Sequence, residues 1–178
     1  MKTLPNVGIL MPGDMGHGCG KVLLDNGFNV FTCLSNRSER TKSLAKKSGI
    51  EDTDNIENLL NKVDIILSIL PPEYAILQAT IVNNVSIKNN IDKIITYVDC
   101  NAVSPETSIK IGDTLSQKKF NFVDGGIIGL NPIIEEGKTR LYVSGEQADK
   151  LKVMDGKGLV VKIIGNEIGK ASAMKMVY

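Results

Sequence analysis

The sequence predicts an α/β fold with a doubly wound, mainly parallel β-sheet and helices on both faces. Short runs rich in Val, Ile and Leu recur along the 178 residues, and such continuous apolar runs are typical of strands buried on both faces. Segments with helical spacing lie between these runs. An alternation of strand and helix predicts right-handed crossovers into a parallel sheet.

The predicted strands and helices can be placed along the chain. Strands are expected at 7–10, 29–34, 63–70, 94–98, 120–123, 140–143 and 159–164. Asp54 and Glu57 resemble a capping box at the start of one helix. Ser104 followed by Pro105 predicts the N-cap and first residue of another.

Composition limits the classes of function. With 42% hydrophobic and 23% charged residues the chain is expected to form one globular domain. The net charge of +1 gives no general attraction for nucleic acid or an anionic membrane, so we expect neither partner. Cys19, Cys33 and Cys100 form no CxxC pair, which argues against a disulfide framework and against a metal site. The sequence shows neither a signal peptide nor an apolar run of roughly 20 residues, and we expect a cytoplasmic protein.

A glycine-rich stretch, GILMPGDMGHGCG at 8–20, begins within the first predicted strand and continues beyond its end. In dinucleotide-binding proteins a GxGxxG loop leads from such a strand into a helix whose N–H groups face the pyrophosphate. The matching residues here are Met11, Pro12, Gly13, Asp14, Met15 and Gly16, with Met11 in place of the first glycine. Gly13 would let the pyrophosphate approach the backbone, and Gly16 would let the helix pack on the sheet. The alternative is a turn with a purely structural role.

Five segments resemble the β-hydroxyacid dehydrogenase superfamily, which includes 6-phosphogluconate and 3-hydroxyisobutyrate dehydrogenases. They are VGILMPGDMG at 7–16, ILSILPP at 66–72, VDCNAVSP at 98–105, FVDGGIIG at 122–129 and GNEIGKASAMKMVY at 165–178. They occur in the family's order and cover the whole chain, and the GGIIG segment is similar to an uncharacterised branch. The resemblance implies a Rossmann-type domain and hydride transfer between a nicotinamide cofactor and a small hydroxy or oxo acid.

The end of the second predicted strand indicates which cofactor binds. NAD enzymes place an acidic side chain there, on the ribose hydroxyls, whereas this chain reads LSNRSER at 34–40. Arg37 could bind a 2′-phosphate, with hydrogen bonds from Ser35, Asn36 and Ser38. We therefore expect NADP rather than NAD. The alternative, solvated arginines on the next helix, is the preferred interpretation for Arg40.

Two further positions lie where open α/β sheets bind ligands, at the carboxyl ends of their strands. The turn formed by Leu70, Pro71 and Pro72 lines the nicotinamide side of the pocket if the resemblance holds. Asn101 follows the next strand and is a candidate contact for cofactor or substrate. The alternatives are a simple strand stop for the prolines and a capping or turn role for Asn101.

The resemblance also implies the substrate and catalytic residues. Substrate contacts are expected in a loop formed by Gly125, Gly126, Ile127 and Ile128. Ile128 replaces a serine that binds the substrate carboxylate in better-known relatives. We therefore do not infer phosphogluconate or hydroxyisobutyrate as the substrate of this protein. Lys175, six residues after Gly169, matches the family's general base, and the alternative is a surface lysine. His17 is given no catalytic role.

The resemblance finally implies a domain organisation. Residues 1–164 are expected to form the cofactor domain, and 165–178 the start of an interdomain helix that leads to an all-helical second domain outside this sequence. A homodimer is possible, and the chain alone is expected to turn over substrate poorly. Two other functions stay open: a deazaflavin-dependent NADP reductase and a non-catalytic NADP-binding module.

Overall fold

The computed structural model describes residues 3–135 and 137–178. One sheet of eight strands has the order β3-β2-β1-β4-β5-β6-β7-β8. The strands are β1 Val7–Leu10, β2 Val30–Thr32, β3 Glu51–Asp52, β4 Ile65–Ser68, β5 Ile95–Asp99, β6 Phe120–Ile128, β7 Arg140–Ser144 and β8 Val160–Ile163. The first six are parallel, β7 is antiparallel to β6, and β8 is parallel to β7. The predicted Rossmann-type, doubly wound sheet is confirmed.

Helices cover both faces of the sheet. They are α1 Asp14–Asp25, α2 Glu39–Ser48, α3 Ile56–Lys62, α4 Ala75–Lys88, α5 Pro105–Thr114 and α6 Lys170–Met176, with short 3₁₀ helices at Pro72–Tyr74 and Ala148–Met154. Adjacent strand residues enter different cores, since Ile9 packs with Leu23 while Leu10 packs with Leu60. In the described part of the chain no helix is both long and apolar enough to cross a membrane.

The structure differs from the local predictions in three places. The strand β3 was missed because both of its residues are charged and exposed at the sheet edge. The strand β6 continues to Ile128, five residues beyond its predicted end. Asn55 caps α3 by accepting a hydrogen bond from the backbone N–H of Asn58 at 2.8 Å, whereas Asp54 precedes the cap with φ 65°. The predicted cap at Ser104 is confirmed, because its hydroxyl accepts from the Thr107 N–H.

Candidate cofactor and active site

The glycine loop joins β1 to α1 as predicted. Met11 has φ 54°, a left-handed conformation that favours glycine, at the position where the motif has its first glycine. The N–H of Gly13, the N-cap of α1, donates to the Met11 carbonyl at 2.7 Å. A Cβ on Gly13 would lie 3.9 Å from its nearest neighbour, whereas one on Gly16 would lie 3.0 Å from the Met11 oxygen. There is therefore room beside Gly13, and Gly16 packs tightly.

A cavity of about 590 Å³ opens at the end of β2. Met11, Ser35, Asn36 and Arg37 line one side of it. Residues from α3, α4 and the preceding 3₁₀ helix also line it, namely Ile56, Tyr74, Leu77, Gln78 and Ile81. A lining that combines apolar side chains with a basic, polar turn suits a ligand that has a flat apolar part and an anionic group.

Arg37 is half-buried in this cavity. Its Nη2 donates a hydrogen bond to Oε1 of Gln78 at 3.2 Å. Burial lowers the pKa of the Arg37 guanidinium below its ordinary value. The contact with Gln78 was not predicted, because nothing in the local sequence connects two residues that lie 41 positions apart.

Of the other polar residues predicted at the end of β2, the two serines form hydrogen bonds within the protein and Asn36 is exposed. The Ser38 hydroxyl caps α2 by accepting from the Thr41 N–H at 3.2 Å, so its oxygen already has a structural role. The Ser35 hydroxyl donates to the Asp54 carbonyl. Asn36 is exposed with φ 58° and forms the turn that leads into Arg37.

A second cavity of about 190 Å³ lies at the carboxyl ends of β4, β5 and β6. Among the residues that line it are six predicted site residues, which come from five separate segments: Met15, Leu70, Pro72, Asn101, Ile127 and Lys175. Pro12, Pro71, Gly125, Gly126 and Ile128 are not among its lining residues. The Lys175 ammonium donates to the Cys100 carbonyl at 3.2 Å, which places the lysine head at the end of β5.

The predicted loop at Gly125 and Gly126 is wrong, because both residues lie within β6 and pair with β7. A Cβ on Gly126 would lie 3.1 Å from the Ala171 carbonyl oxygen and 3.2 Å from Cβ of Lys175. A Cβ on Gly125 would lie 2.9 Å from the Asp99 carbonyl oxygen. The two glycines therefore allow close packing of β5 and α6 around β6.

Asn101 is 1% exposed, and its side chain joins the ends of β4 and β5. Its Nδ2 donates to Asp99 Oδ1 at 2.6 Å and to Ser68 Oγ at 3.2 Å, and its Oδ1 accepts from the Leu70 N–H at 2.7 Å. Both amide hydrogens are therefore used within the protein. The capping or turn role considered for Asn101 describes this arrangement, although the residue also lines the smaller cavity.

Asp124 holds the start of α6 against the sheet. Its buried carboxylate accepts from the backbone N–H groups of Gly169 at 2.8 Å and Ser172 at 3.0 Å. It also accepts from the hydroxyls of Ser108 at 2.9 Å and Ser144 at 3.1 Å. Sequence reasoning did not identify this role, because its four partners lie on three other segments. Through these bonds Asp124 fixes the helix that presents Lys175.

Asp99 lies beside Asp124 on the neighbouring strand. It is fully buried, and its Oδ2 has no hydrogen-bond partner in the described structure. Burial raises the pKa of Asp99 to about 7, while the hydrogen bonds from Asn101 lower this pKa, Asp124 raises it and Lys175 lowers it. A buried carboxyl group with a raised pKa therefore lies one residue before Cys100, whose carbonyl accepts from the lysine.

The described residues fit a nicotinamide dinucleotide. The space beside Gly13 lies at the start of α1, where a pyrophosphate binds in this class of fold. A cavity lies on each side of that loop, one at the β2 exit and one at the ends of β4 to β6. No group of three metal-ligating side chains was found within residues 3–135 and 137–178.

Comparisons with known proteins agree with this arrangement. The chain is 34% identical over 149 residues to an uncharacterized 28.5 kDa protein of Methanothermus fervidus, covering 83% of this chain and 53% of that protein. It is 25% identical over 174 residues to glyoxylate/succinic semialdehyde reductase 1 of Arabidopsis thaliana, covering 96% and 59%. A solved structure of a conserved protein of unknown function, described as similar to 3-hydroxyacid dehydrogenases, matches with a TM-score of 0.83 and 27% identity, covering 97% and 62%.

The chain thus spans between half and two thirds of the length of each of these proteins. Residues 6–157 match the family described as the NAD binding domain of 6-phosphogluconate dehydrogenase. This range includes the glycine loop, the turn after β2 at 35–37, the turn after β4 at 70–72 and the strands from β1 to β7. The chain belongs to the family of 6-phosphogluconate dehydrogenase NAD-binding domains.

Proposed function

We propose that this chain is the cofactor domain of an NADP-dependent oxidoreductase that moves a hydride between the nicotinamide and a small hydroxy or oxo acid. The observation that supports this most directly is the position of Lys175. Its ammonium is held at 3.2 Å from the Cys100 carbonyl, beside a cavity that adjoins the glycine loop through Met15. Oxidation of a hydroxyl group requires a positioned group that accepts its proton, and Lys175 lies beside this cavity.

In this proposal each described group has a distinct role. A bound nicotinamide supplies the hydride chemistry. Lys175 acts as general base towards the substrate hydroxyl, and as general acid in the reverse direction. Leu70, Pro72 and Ile127 form an apolar wall that limits the access of water to the reacting carbon.

The substrate class follows from the lining of the smaller cavity together with the relatives. Lys175 is its one charged lining residue within the described chain, and Ile127 contributes an alkyl group. Ile128, which replaces the family serine, does not line this cavity. The Arabidopsis relative is named for glyoxylate and succinic semialdehyde, which supports small oxo acids as substrates. Groups that bind the substrate carboxylate are then expected mainly outside these 178 residues.

The proposed division of the chain places the cofactor domain at 1–164 and the start of an interdomain helix at 165–178. The structure has α6 beginning at Lys170, with Lys175 in its last turn. We propose that a helical second domain completes the substrate pocket, and that pairing of two such subunits is the simplest assembly.

Enzyme assays test the catalytic part of this proposal. NADPH-linked turnover of a panel of oxo and hydroxy acids is measured for this chain and for a longer form that includes the helical domain. We expect turnover only in the longer form, and its loss in Lys175→Ala. Lys170→Ala, on the same helix and paired with the exposed Glu167, is the matched control. Equal turnover by both forms, or full activity of Lys175→Ala, would contradict the proposal.

Calorimetric titration tests the cofactor part. We expect the unaltered chain to bind NADPH more tightly than NADH. Arg37→Ala should weaken NADPH binding by about 1.5 to 3 kcal/mol, the contribution of a hydrogen bond to a charged group, and so remove this preference. Arg140→Ala, an exposed arginine on β7, should keep the preference. Equal affinities for the two cofactors in the unaltered chain would refute NADP specificity.

A further inference from the structure

We propose that Gln78 determines cofactor specificity by positioning Arg37 for a 2′-phosphate. The inference rests on the proposed preference for NADP and assigns part of that preference to a residue outside the glycine loop and the β2 exit. Gln78 acts through Arg37 and is therefore a positioning residue.

The position of Gln78 on α4 is unusual for a polar side chain. It is 7% exposed and lies between Ala75, Ala79 and Val82, all fully buried on the same face of the helix. An apolar side chain at such a position would gain burial energy without having to satisfy an amide. The Gln78 amide oxygen accepts a hydrogen bond from Arg37 Nη2 at 3.2 Å, an interaction that an apolar side chain could not make.

Arg37 retains capacity for an anion. In the described structure only Nη2 of its guanidinium has a hydrogen-bond partner, and Nε, although buried, has none. A guanidinium has five N–H donors in one plane, so fixing one Nη group orients the remaining donors. Partial burial removes some water from this cation, and an anionic partner would offset that loss.

Nearby carboxylates are engaged elsewhere. Asp14 forms an ion pair with Arg40. Asp52 accepts hydrogen bonds from the backbone N–H groups of Leu34 at 3.0 Å and Asp54 at 3.1 Å. Arg37 is held by a neutral amide instead, and no acidic side chain in the described part of the chain is among the causes of its pKa shift. A glutamate at 78 would orient the arginine equally well but would neutralise it and repel a phosphate.

The effect of Gln78 on binding of a 2′-phosphate can be measured with two small probes that contain no nicotinamide and need no second domain. Adenosine 2′,5′-bisphosphate contains the 2′-phosphate and AMP lacks it. Both are titrated calorimetrically into the 178-residue chain and its variants. Gln78→Met keeps the length and burial of the side chain but removes the acceptor, Gln78→Glu adds a charge, and Gln117→Met, at an exposed glutamine after α5, is the control.

We expect Gln78→Met to bind the bisphosphate about tenfold more weakly, the upper range for one net hydrogen bond, and to bind AMP unchanged. Gln78→Glu should weaken the bisphosphate further, again without an effect on AMP. In an Arg37→Ala background Gln78→Met should have no additional effect, because Gln78 acts only through Arg37. A structural role would instead weaken both probes in both backgrounds.

The outcomes separate this inference from the proposed function. If the unaltered chain binds both probes equally, or if Arg37→Ala weakens both equally, the NADP preference is wrong. If Arg37→Ala removes the preference while Gln78→Met and Gln78→Glu retain it, the preference stands and the role of Gln78 is wrong. Thermal melting of each variant verifies that the compared proteins are folded.

Discussion

The carboxylate of Asp124 accepts a hydrogen bond of 2.8 Å from the backbone N–H of Gly169, the residue just before α6. A residue in the middle of the sheet thus directly fixes the start of the helix that presents Lys175. The same carboxylate binds Ser108 on α5 and Ser144 on β7. Stability of the fold and placement of the candidate catalytic residue therefore depend on one side chain.

Replacing Asp124 by alanine should destabilise the protein strongly. The change leaves several buried donors without an acceptor, and we expect the free energy of unfolding to fall by about 3 kcal/mol or more. Urea denaturation measures the loss. Asp113→Ala, at an exposed aspartate on α5, should change stability little. A loss in Asp124→Ala no larger than that of this control would show that the hydrogen bonds do not stabilise α6.

Asp99 should make stability depend on pH. Its folded pKa of about 7 lies above the ordinary 3.8, so the folded state binds this proton more tightly than the unfolded state. The resulting stabilisation is complete below the unfolded pKa and is lost as pH rises through about 7. Between pH 5 and pH 8 the unaltered chain should therefore lose roughly 2.5 kcal/mol more than Asp99→Asn does.

Unfolding free energies measured at the two pH values test this expectation for Asp99. Asp92→Asn, at an exposed aspartate after α4, serves as the control and should follow the unaltered chain. Parallel pH profiles for the unaltered chain and Asp99→Asn would contradict the raised pKa.

Gly13 and Gly16 should respond differently to the same substitution. A side chain at Gly13 meets open space, with its nearest neighbour at 3.9 Å, so Gly13→Val should fold but exclude a pyrophosphate from the start of α1. A side chain at Gly16 meets the Met11 carbonyl oxygen and Ile9 Cγ2 at 3.0 and 3.2 Å, so Gly16→Val should lower the melting temperature. Thermal melting and titration with NADPH separate the two effects. Loss of stability in Gly13→Val would support the alternative of a structural turn.

Met11 should be strained by its left-handed backbone, with φ 54°. Met11→Ala and Met11→Gly both remove the side chain that packs at the edge of one core, but only glycine relieves the strain. We expect the glycine variant to be more stable than the alanine variant by about 1 kcal/mol. Chemical denaturation of the pair measures the difference. Higher stability of the alanine variant would mean that the turn costs little.

The parts of the fold that were predicted correctly are those with a local signal. The buried strands β1, β4 and β5 lie in mainly apolar segments, and the glycine loop follows directly after one of them. The strand β6 was predicted too short because Gly125 and Gly126 interrupt its apolar pattern, and glycine is disfavoured inside strands. Only the tertiary packing of α6 and β5 explains why side chains are excluded there.

For the candidate site too, the sequence predicted the residues that lie in motifs and missed those whose partners are distant in the chain. Motif positions identified Lys175, Leu70 and Ile127, and the structure brings them to one cavity. Gln78 and Asp124 were missed because their partners are distant in sequence and their own segments contain no motif. Ser38 was predicted as a cofactor contact from its position alone, whereas in the structure its hydroxyl serves as the N-cap of α2.

The two cavities follow one edge of the sheet, and Met11, before α1, and Met15, in the first turn of α1, line one cavity each. A purine-like fragment in the larger space and a small apolar carbonyl compound in the smaller one would approach each other across the glycine loop. A short linker between such fragments would convert the second binding event into an intramolecular one, and the joint affinity could exceed either alone by a factor of about 100 or more. The shape of this edge thus favours bivalent ligands over compounds that occupy one cavity.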